Sequence, residues 1–129
     1  MVQRKGPRPT DAELEILNVL WARGPATVRE VHETLAKSRA LGYTTVLKLM
    51  QIMTEKGLVR RDERQRAHVY AARFAQEQTQ RQLVGDLLDR AFGGSAAKMV
   101  MHALSAKRTS DEELAQIRQL LAEFERGKR

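Results

Sequence analysis

Apolar residues recur along the chain in two rhythms, and the rhythms divide it into elements. Leu14, Leu17, Leu20 and Trp21 sit three and four apart, the repeat of one helix face. Just ahead of them, Thr10-Asp11-Ala12-Glu13 has the form of a capping box. The spacing predicts a helix opened by Thr10 and ended by Gly24-Pro25. Thr27-Val28-Arg29-Glu30 repeats the box, and Val28, Val31 and Leu35 give a second helix that stops near Lys37. Gly42 interrupts the chain before a third helix from Tyr43 to Lys56. Val46, Leu49, Met50 and Met53 form its buried stripe, with Thr45, Lys48, Gln51 and Glu55 on the other side. Gly57 is its stop.

After Gly57 the rhythm changes. Leu58–Arg61 and Ala67–Tyr70 are rich in strand formers and flank a polar link, Asp62–Arg66, which predicts a hairpin with a charged tip. From Phe74 the helical repeat returns. Leu83, Val84, Leu87, Leu88 and Ala91 belong to a helix reaching about Phe92. Gly93-Gly94 breaks it. Met99, Val100, Ala103 and Leu104 mark a helix over about 96–106, and a third box, Ser110–Glu113, opens a last helix to about Arg126. Its apolar positions are Leu114, Ile117, Leu121 and Phe124. The fold class is therefore mainly α with a small β-hairpin: an N-terminal winged helix-turn-helix, 1–73, followed by a three-helix C-terminal dimerisation unit, 74–129.

Charge sharpens this division. The 129 residues carry 23 Lys+Arg and 16 Asp+Glu, a formal +7. Residues 1–73 hold 14 basic and 8 acidic side chains, against 9 and 8 in 74–129. Nearly all the excess thus lies on the first unit, which suits a polyanionic partner. The first ten residues, with Pro7, Pro9, Arg4, Lys5 and Arg8, are expected to form a mobile arm that adds nonspecific attraction. Aromatics are 5%, too few for a surface that stacks many bases. With no cysteine, disulfides, thiolate zinc sites and cysteine-bound clusters are excluded. No uncharged apolar run approaches the roughly 20 residues of a membrane-spanning helix. The expectation is a cytoplasmic protein without membrane insertion.

A helix-turn-helix followed by a hairpin reads DNA with its second helical member in the major groove and its hairpin on the backbone. The third helix therefore supplies the candidate reading residues. Thr44 and Thr45 lie at its start, where amides and the helix dipole favour phosphate. Their hydroxyls suit phosphate or base edges, or one of them caps the helix. Tyr43 either sets its hydroxyl on phosphate or acts as a half-buried strut. Lys48 reaches guanine or phosphate, and Gln51 suits adenine. Leu47 either touches a thymine methyl or packs on a neighbour. In the hairpin Arg60, Arg61, Arg64 and Arg66 crowd together, opposed locally by Asp62 and Glu63. Arg61, Arg64 and Arg66 are the DNA-contact candidates there, with Arg64 and Arg66 favoured for phosphate.

The three histidines, His32, His68 and His102, are scattered, and His32-Glu33 lacks the second His of a zinc helix. No nucleophile constellation and no phosphate-cradling glycine loop is present, so neither enzymatic activity nor a cofactor or metal is expected. In the second unit Leu83, Leu87, Met99, Val100, Leu114, Ile117, Leu121 and Phe124 form more apolar stripe than a ~55-residue monomer covers, which predicts a second copy as its cover.

Five segments, PTDAELEILNVLW, PATVREVHETLA, GYTTVLKLM, EKGLVRR and AHVYAA, resemble in order and spacing the BlaI/MecI family of bacterial transcriptional repressors, the penicillinase repressors. The likeness extends more weakly through the C-terminal helices. It implies a homodimer whose two winged helices read a palindromic operator on double-stranded DNA. It also implies derepression by proteolysis in the dimerisation region, signalled by a membrane-bound sensor protease. The family's cleaved bond is Asn-Phe. The place that matches here is His102-Ala103, which departs from that pattern. A copper-responsive branch carries a cysteine motif that this chain lacks. The competing readings are a winged-helix regulator controlled by a small-molecule effector and a winged-helix protein-interaction module.

Overall fold

The computed structural model describes residues 6–127. Arg4 and Lys5 of the arm lie outside them. The element order is α1 (Asp11–Arg23), α2 (Val28–Ala36), α3 (Tyr43–Lys56), β1 (Val59–Asp62), β2 (Val69–Ala72), α4 (Gln76–Ala91), α5 (Ala96–Ala106) and α6 (Asp111–Gly127). This is the mostly helical chain with one hairpin that the apolar rhythm predicts. The chain forms two compact units that divide between Gly85 and Asp86, within α4.

Local chemistry sets the ends of the first two helices. At α1 the Thr10 hydroxyl accepts from the Glu13 amide at 3.2 Å, and the Glu13 carboxylate accepts from the Thr10 amide at 2.9 Å. Thr27 and Glu30 repeat both bonds at α2 with the same lengths. Each box satisfies two amides that a helix start leaves without partners. Gly57 ends α3 at φ 83°, a left-handed conformation that favours glycine.

One core serves the first unit. Ile16, Leu17, Val19 and Leu20 of α1 meet Val31 and Leu35 of α2, Val46, Met50 and Met53 of α3, and Leu58, Val59 and Tyr70 from the hairpin. Three expected core residues are only half-buried: Trp21 and Leu49 at the edge of the core, and Leu14. Ile16 and Val19 complete the buried stripe of α1.

The hairpin is shifted from the sequence expectation, by one residue at β1 and two at β2. Val59 pairs with Ala72 and Asp62 with Val69. At β1 the start moves because the Leu58 amide closes the end of α3 on the Met53 carbonyl at 2.9 Å, and the bounds of β2 follow from its register with β1. A further pairing, between Ala26 and Tyr70, carries two backbone bonds of 2.9 and 2.8 Å and fastens β2 to the link between α1 and α2.

Two long-range ties complete this unit. Trp21 Nε1 donates to the Phe74 carbonyl at 3.0 Å. Lys56 Nζ donates to Glu13 Oε1 at 2.7 Å, joining the end of α3 to the start of α1. The described part of the arm is held, contrary to the expectation of mobility. Gln82 Nε2 donates to the Gly6 carbonyl at 2.7 Å, and a Cβ on Gly6 would stand 2.6 Å from the Phe74 ring. The reason is that residue 6 is a glycine, which lets the ring approach the backbone.

In the second unit Ser95 and Ser110 cap α5 and α6 through their hydroxyls. No residue of α5 or α6 is buried. Among the described residues no helix is long and apolar enough to cross a membrane.

Candidate nucleic-acid interface

The start of α3 differs from the starts of α1 and α2. Its N-cap is Gly42, which offers no side chain, and no side-chain bond caps the helix. Neither Thr44 nor Thr45 is the cap, which removes that alternative for them. The first intrahelical bond at this end runs from the Val46 amide to the Gly42 carbonyl at 3.2 Å. The amides of Tyr43, Thr44 and Thr45 are left without a backbone partner among the described residues. Three amides at a helix start form an anion-binding arrangement, aided by the helix dipole.

Around these amides stand most of the side chains singled out from sequence. Tyr43, Thr44, Thr45, Lys48 and Gln51 are all exposed on α3. Leu47 is half-buried and packs against the core, so its neighbour-packing alternative is the one seen. Thr44, Lys48 and Gln51 follow a four-three spacing, which sets them on one stripe.

The wing is more internally paired than its arginines suggest. Arg64 Nε and Nη2 grip both oxygens of Asp62 at 3.0, 3.1 and 2.7 Å, and the Arg64 amide adds a bond of 3.0 Å. Arg64's side-chain bonds, then its amide, hold the Asp62 carboxyl at a pKa of about 2. Arg61 pairs likewise with Glu63, with Nε 2.7 Å from Oε2. Arg60 and Arg66 are exposed and make no ion pair among the described residues. Arg66 thus carries the uncompensated charge of the tip.

A cleft of about 350 Å³ lies between the start of α2, the start of α3 and the approach to β2. Thr27, Arg29, Tyr43, Leu47, Arg66 and His68 are among its lining residues. Arg29 and His68 are exposed at this cleft, although neither is among the DNA-contact candidates of the sequence. The signals were present but faint. Arg29 follows the Thr27 cap by two positions, at the mouth of a helix. His68 follows Arg66 by two, where the tip of the hairpin leads into β2. The cleft thus gathers two guanidinium groups, an imidazole and a threonine hydroxyl beside the open amides of α3. Such a set can receive a phosphodiester.

The apolar candidates of the second unit stand in the open. Leu87, Val100, Leu121 and Phe124 are exposed, and Leu83, Met99, Leu114 and Ile117 are half-buried. His102 and Ala103 are exposed on α5, where the His102 ring lies 5.7 Å from that of Phe92. No group of three or more metal-ligating side chains occurs among the described residues.

Comparison with known proteins supports the family and the fold. The family model described as penicillinase repressor matches residues 9–123. The transcriptional regulator BlaI of Mycobacterium tuberculosis is 36% identical over 119 residues, covering 91% of this chain and 85% of its own. The penicillinase repressor of Bacillus licheniformis is 25% identical over 126 residues, covering 98% of each. Among solved structures, the solution structure of the DNA-binding domain of the repressor BlaI superposes with a TM-score of 0.51 at 25% identity. It covers 59% of this chain and 93% of that one. With the winged helix matched in structure and the family pattern running through both units, the chain belongs to the penicillinase repressor family of transcriptional regulators, which are repressors rather than enzymes.

Proposed function

We propose that this chain is a homodimeric, sequence-specific repressor that binds a palindromic operator. In this reading residues 1–73 bind DNA and residues 74–129 hold the dimer. Helix α3 enters the major groove with Thr44, Thr45, Lys48 and Gln51 toward base edges. Tyr43 and the open amides take a phosphate. Arg66, with Arg29 and His68 in the cleft, takes the neighbouring backbone, and Arg61 and Arg64 reach it by exchanging their acidic partners for phosphate.

The observation that carries this reading is the uncapped start of α3 beside the cationic cleft. Two other helices of the same unit are capped by a Thr–Glu box. The one helix that would meet DNA lacks a side chain that competes for its amides. Dimerisation is supported by the open apolar stripes of α4, α5 and α6. Two copies related by a two-fold axis would read half-sites about 10 bp apart, or a multiple of that. Derepression by cleavage in the second unit, with a membrane-bound sensor protease as partner, belongs to the same proposal. Exposure of His102 and Ala103 is compatible with it. The setting for all of this is the cytoplasm.

The test is selection of bound duplexes from a random-sequence pool, followed by affinity measurements with Lys48→Ala. The expected loss on the selected duplex is about 1–3 kcal/mol, with relaxed preference at one base position. A Lys48→Ala protein with unchanged affinity and unchanged sequence preference would put the reading on the wrong face.

A further inference from the structure

The start of α3 has no side-chain cap, but the turn just before it is held by a side chain of α2. His32 is half-buried on α2, and its Nε2 lies 2.8 Å from the Leu41 carbonyl oxygen. A carbonyl can only accept, so Nε2 carries the proton in this contact. The same ring meets Tyr43 edge-on, with centroids 6.0 Å apart and planes at 87°. One imidazole therefore holds the residue before Gly42 and the residue after it. The other bonds of this turn lie mostly before Leu41, and Arg39 among them pairs with both oxygens of Glu15 at 2.7 Å. Arg39 and Ser38 amides bond back to Leu35, and the Leu41 amide reaches only Arg39. Gly42 itself has open space where a Cβ would stand.

We infer that His32 is a positioning residue for DNA reading, fixing where α3 begins and how its first turn faces the groove. The inference rests on the DNA-binding reading above. Helix α3 is anchored at its far end by Lys56 on Glu13. At its near end the apolar side of Leu41 and the ring of His32 supply the corresponding hold. Base readout tolerates little displacement, because a hydrogen bond weakens steeply as its angle falls. Phosphate attraction acts through charge and tolerates much more. Loss of the His32 contact should therefore act on specific binding and spare nonspecific binding.

The experiment compares the full chain with His32→Phe and His32→Gln. Phe keeps a ring against Tyr43 and removes the donor. Gln keeps an N–H donor for the Leu41 carbonyl and removes the ring. Affinity is read on a duplex selected by the parent chain and on an unrelated duplex of equal length. His32→Phe is expected to bind the selected duplex about five- to tenfold more weakly, the worth of one lost hydrogen bond. On the unrelated duplex it should match the parent. His32→Gln should recover most of the lost ratio. Amide hydrogen exchange supplies the second readout. In His32→Phe the Val46 amide should exchange faster, while the amides of α1 keep the parent rates.

An unchanged ratio of specific to nonspecific affinity in His32→Phe would overturn the inference and leave the DNA reading intact. So would equal acceleration of exchange in α1 and α3, the mark of general destabilisation. If the parent chain selects no duplex at any salt, it is the DNA-binding reading itself that fails.

Discussion

Asp62 and Arg64 show how a single side chain changes the meaning of a charge. A count of basic residues makes Arg64 a strong phosphate ligand. In the fold its guanidinium is already engaged by a carboxylate held at a pKa of about 2. Because that pKa is depressed, the pair is intact at ordinary pH and is lost only as pH falls through about 2. Both partners are exposed, so the effect on stability is screened, and the consequence falls on binding. Arg66→Ala is expected to weaken DNA binding evenly across sequences and to reduce the slope of log affinity against log salt by about 0.9. Asp62→Asn should do the reverse: it frees Arg64, raises affinity on all duplexes and steepens the slope by up to about 0.9. Salt titrations of both variants on one duplex decide the matter. At this scale the sequence was readable where spacing is local. The Thr10–Glu13 and Thr27–Glu30 boxes and the Ser110 hydroxyl cap are each written within four residues. It was silent on which wing arginine is free, because that depends on the turn that brings Arg64 back onto Asp62.

Helix α3 is legible as an element, and its bounds in the fold are those of the apolar rhythm, Tyr43–Lys56. Its attachments are not legible. Lys56 reaches Glu13 across 43 residues, and His32 reaches Leu41 through a ring whose target is a backbone atom. Neither contact leaves a periodic trace. Glu13 is also the capping residue of α1, so one buried carboxylate serves two helices. Burial works to raise its pKa, but the Lys56 bond and the Thr10 amide outweigh burial and hold it below the ordinary value. A depressed carboxylate contributes stability above its unfolded value, near 4.5, and loses that contribution as pH falls through the lower folded value. Lys56→Met is expected to cost about 2–3 kcal/mol at neutral pH, since it leaves a buried carboxylate short of a charged partner. Its stability should also fall less between neutral pH and acid than that of the parent. Urea unfolding at pH 7 and below pH 4 measures both.

At the scale of the whole molecule the two units have opposite kinds of surface. The first has a continuous core and an excess of positive charge. The second has no buried residue in α5 or α6 and shows Leu120, Leu121, Phe124, Val100 and Met101 to solvent. Amphipathic spacing made those stripes visible in the sequence, but spacing cannot say what covers them. If a second copy does, Leu121→Asp and Phe124→Asp together should shift the chain from dimer to monomer in sedimentation equilibrium. Affinity for a two-half-site duplex should fall toward that for a single half-site. A wild-type chain that sediments as a monomer at micromolar concentration would argue against the dimer. The boundary between the units was less legible than their characters. Composition changes at residue 73, whereas the compact units divide within α4, because Thr79 and Gln82 still pack with the winged helix.

Three long ties of the first unit also bear on the order in which the protein is made. Helices α1, α2 and α3 are closed by contacts within their own turns. Glu13–Lys56, Ala26–Tyr70 and Trp21–Phe74 each close a loop of more than 40 residues. A chain growing from its N-terminus can form the three helices early, yet it cannot fasten the hairpin to them until Tyr70 has emerged. The Trp21 tie waits for Phe74, and the tie on Gly6 waits for Gln82. The surface shared by α3 and the wing is therefore completed late in its own synthesis, and only then does the ribosome add the helices that carry the open apolar stripes. A fragment released before residue 70 would carry α3 without the bridge that seats the wing beside it.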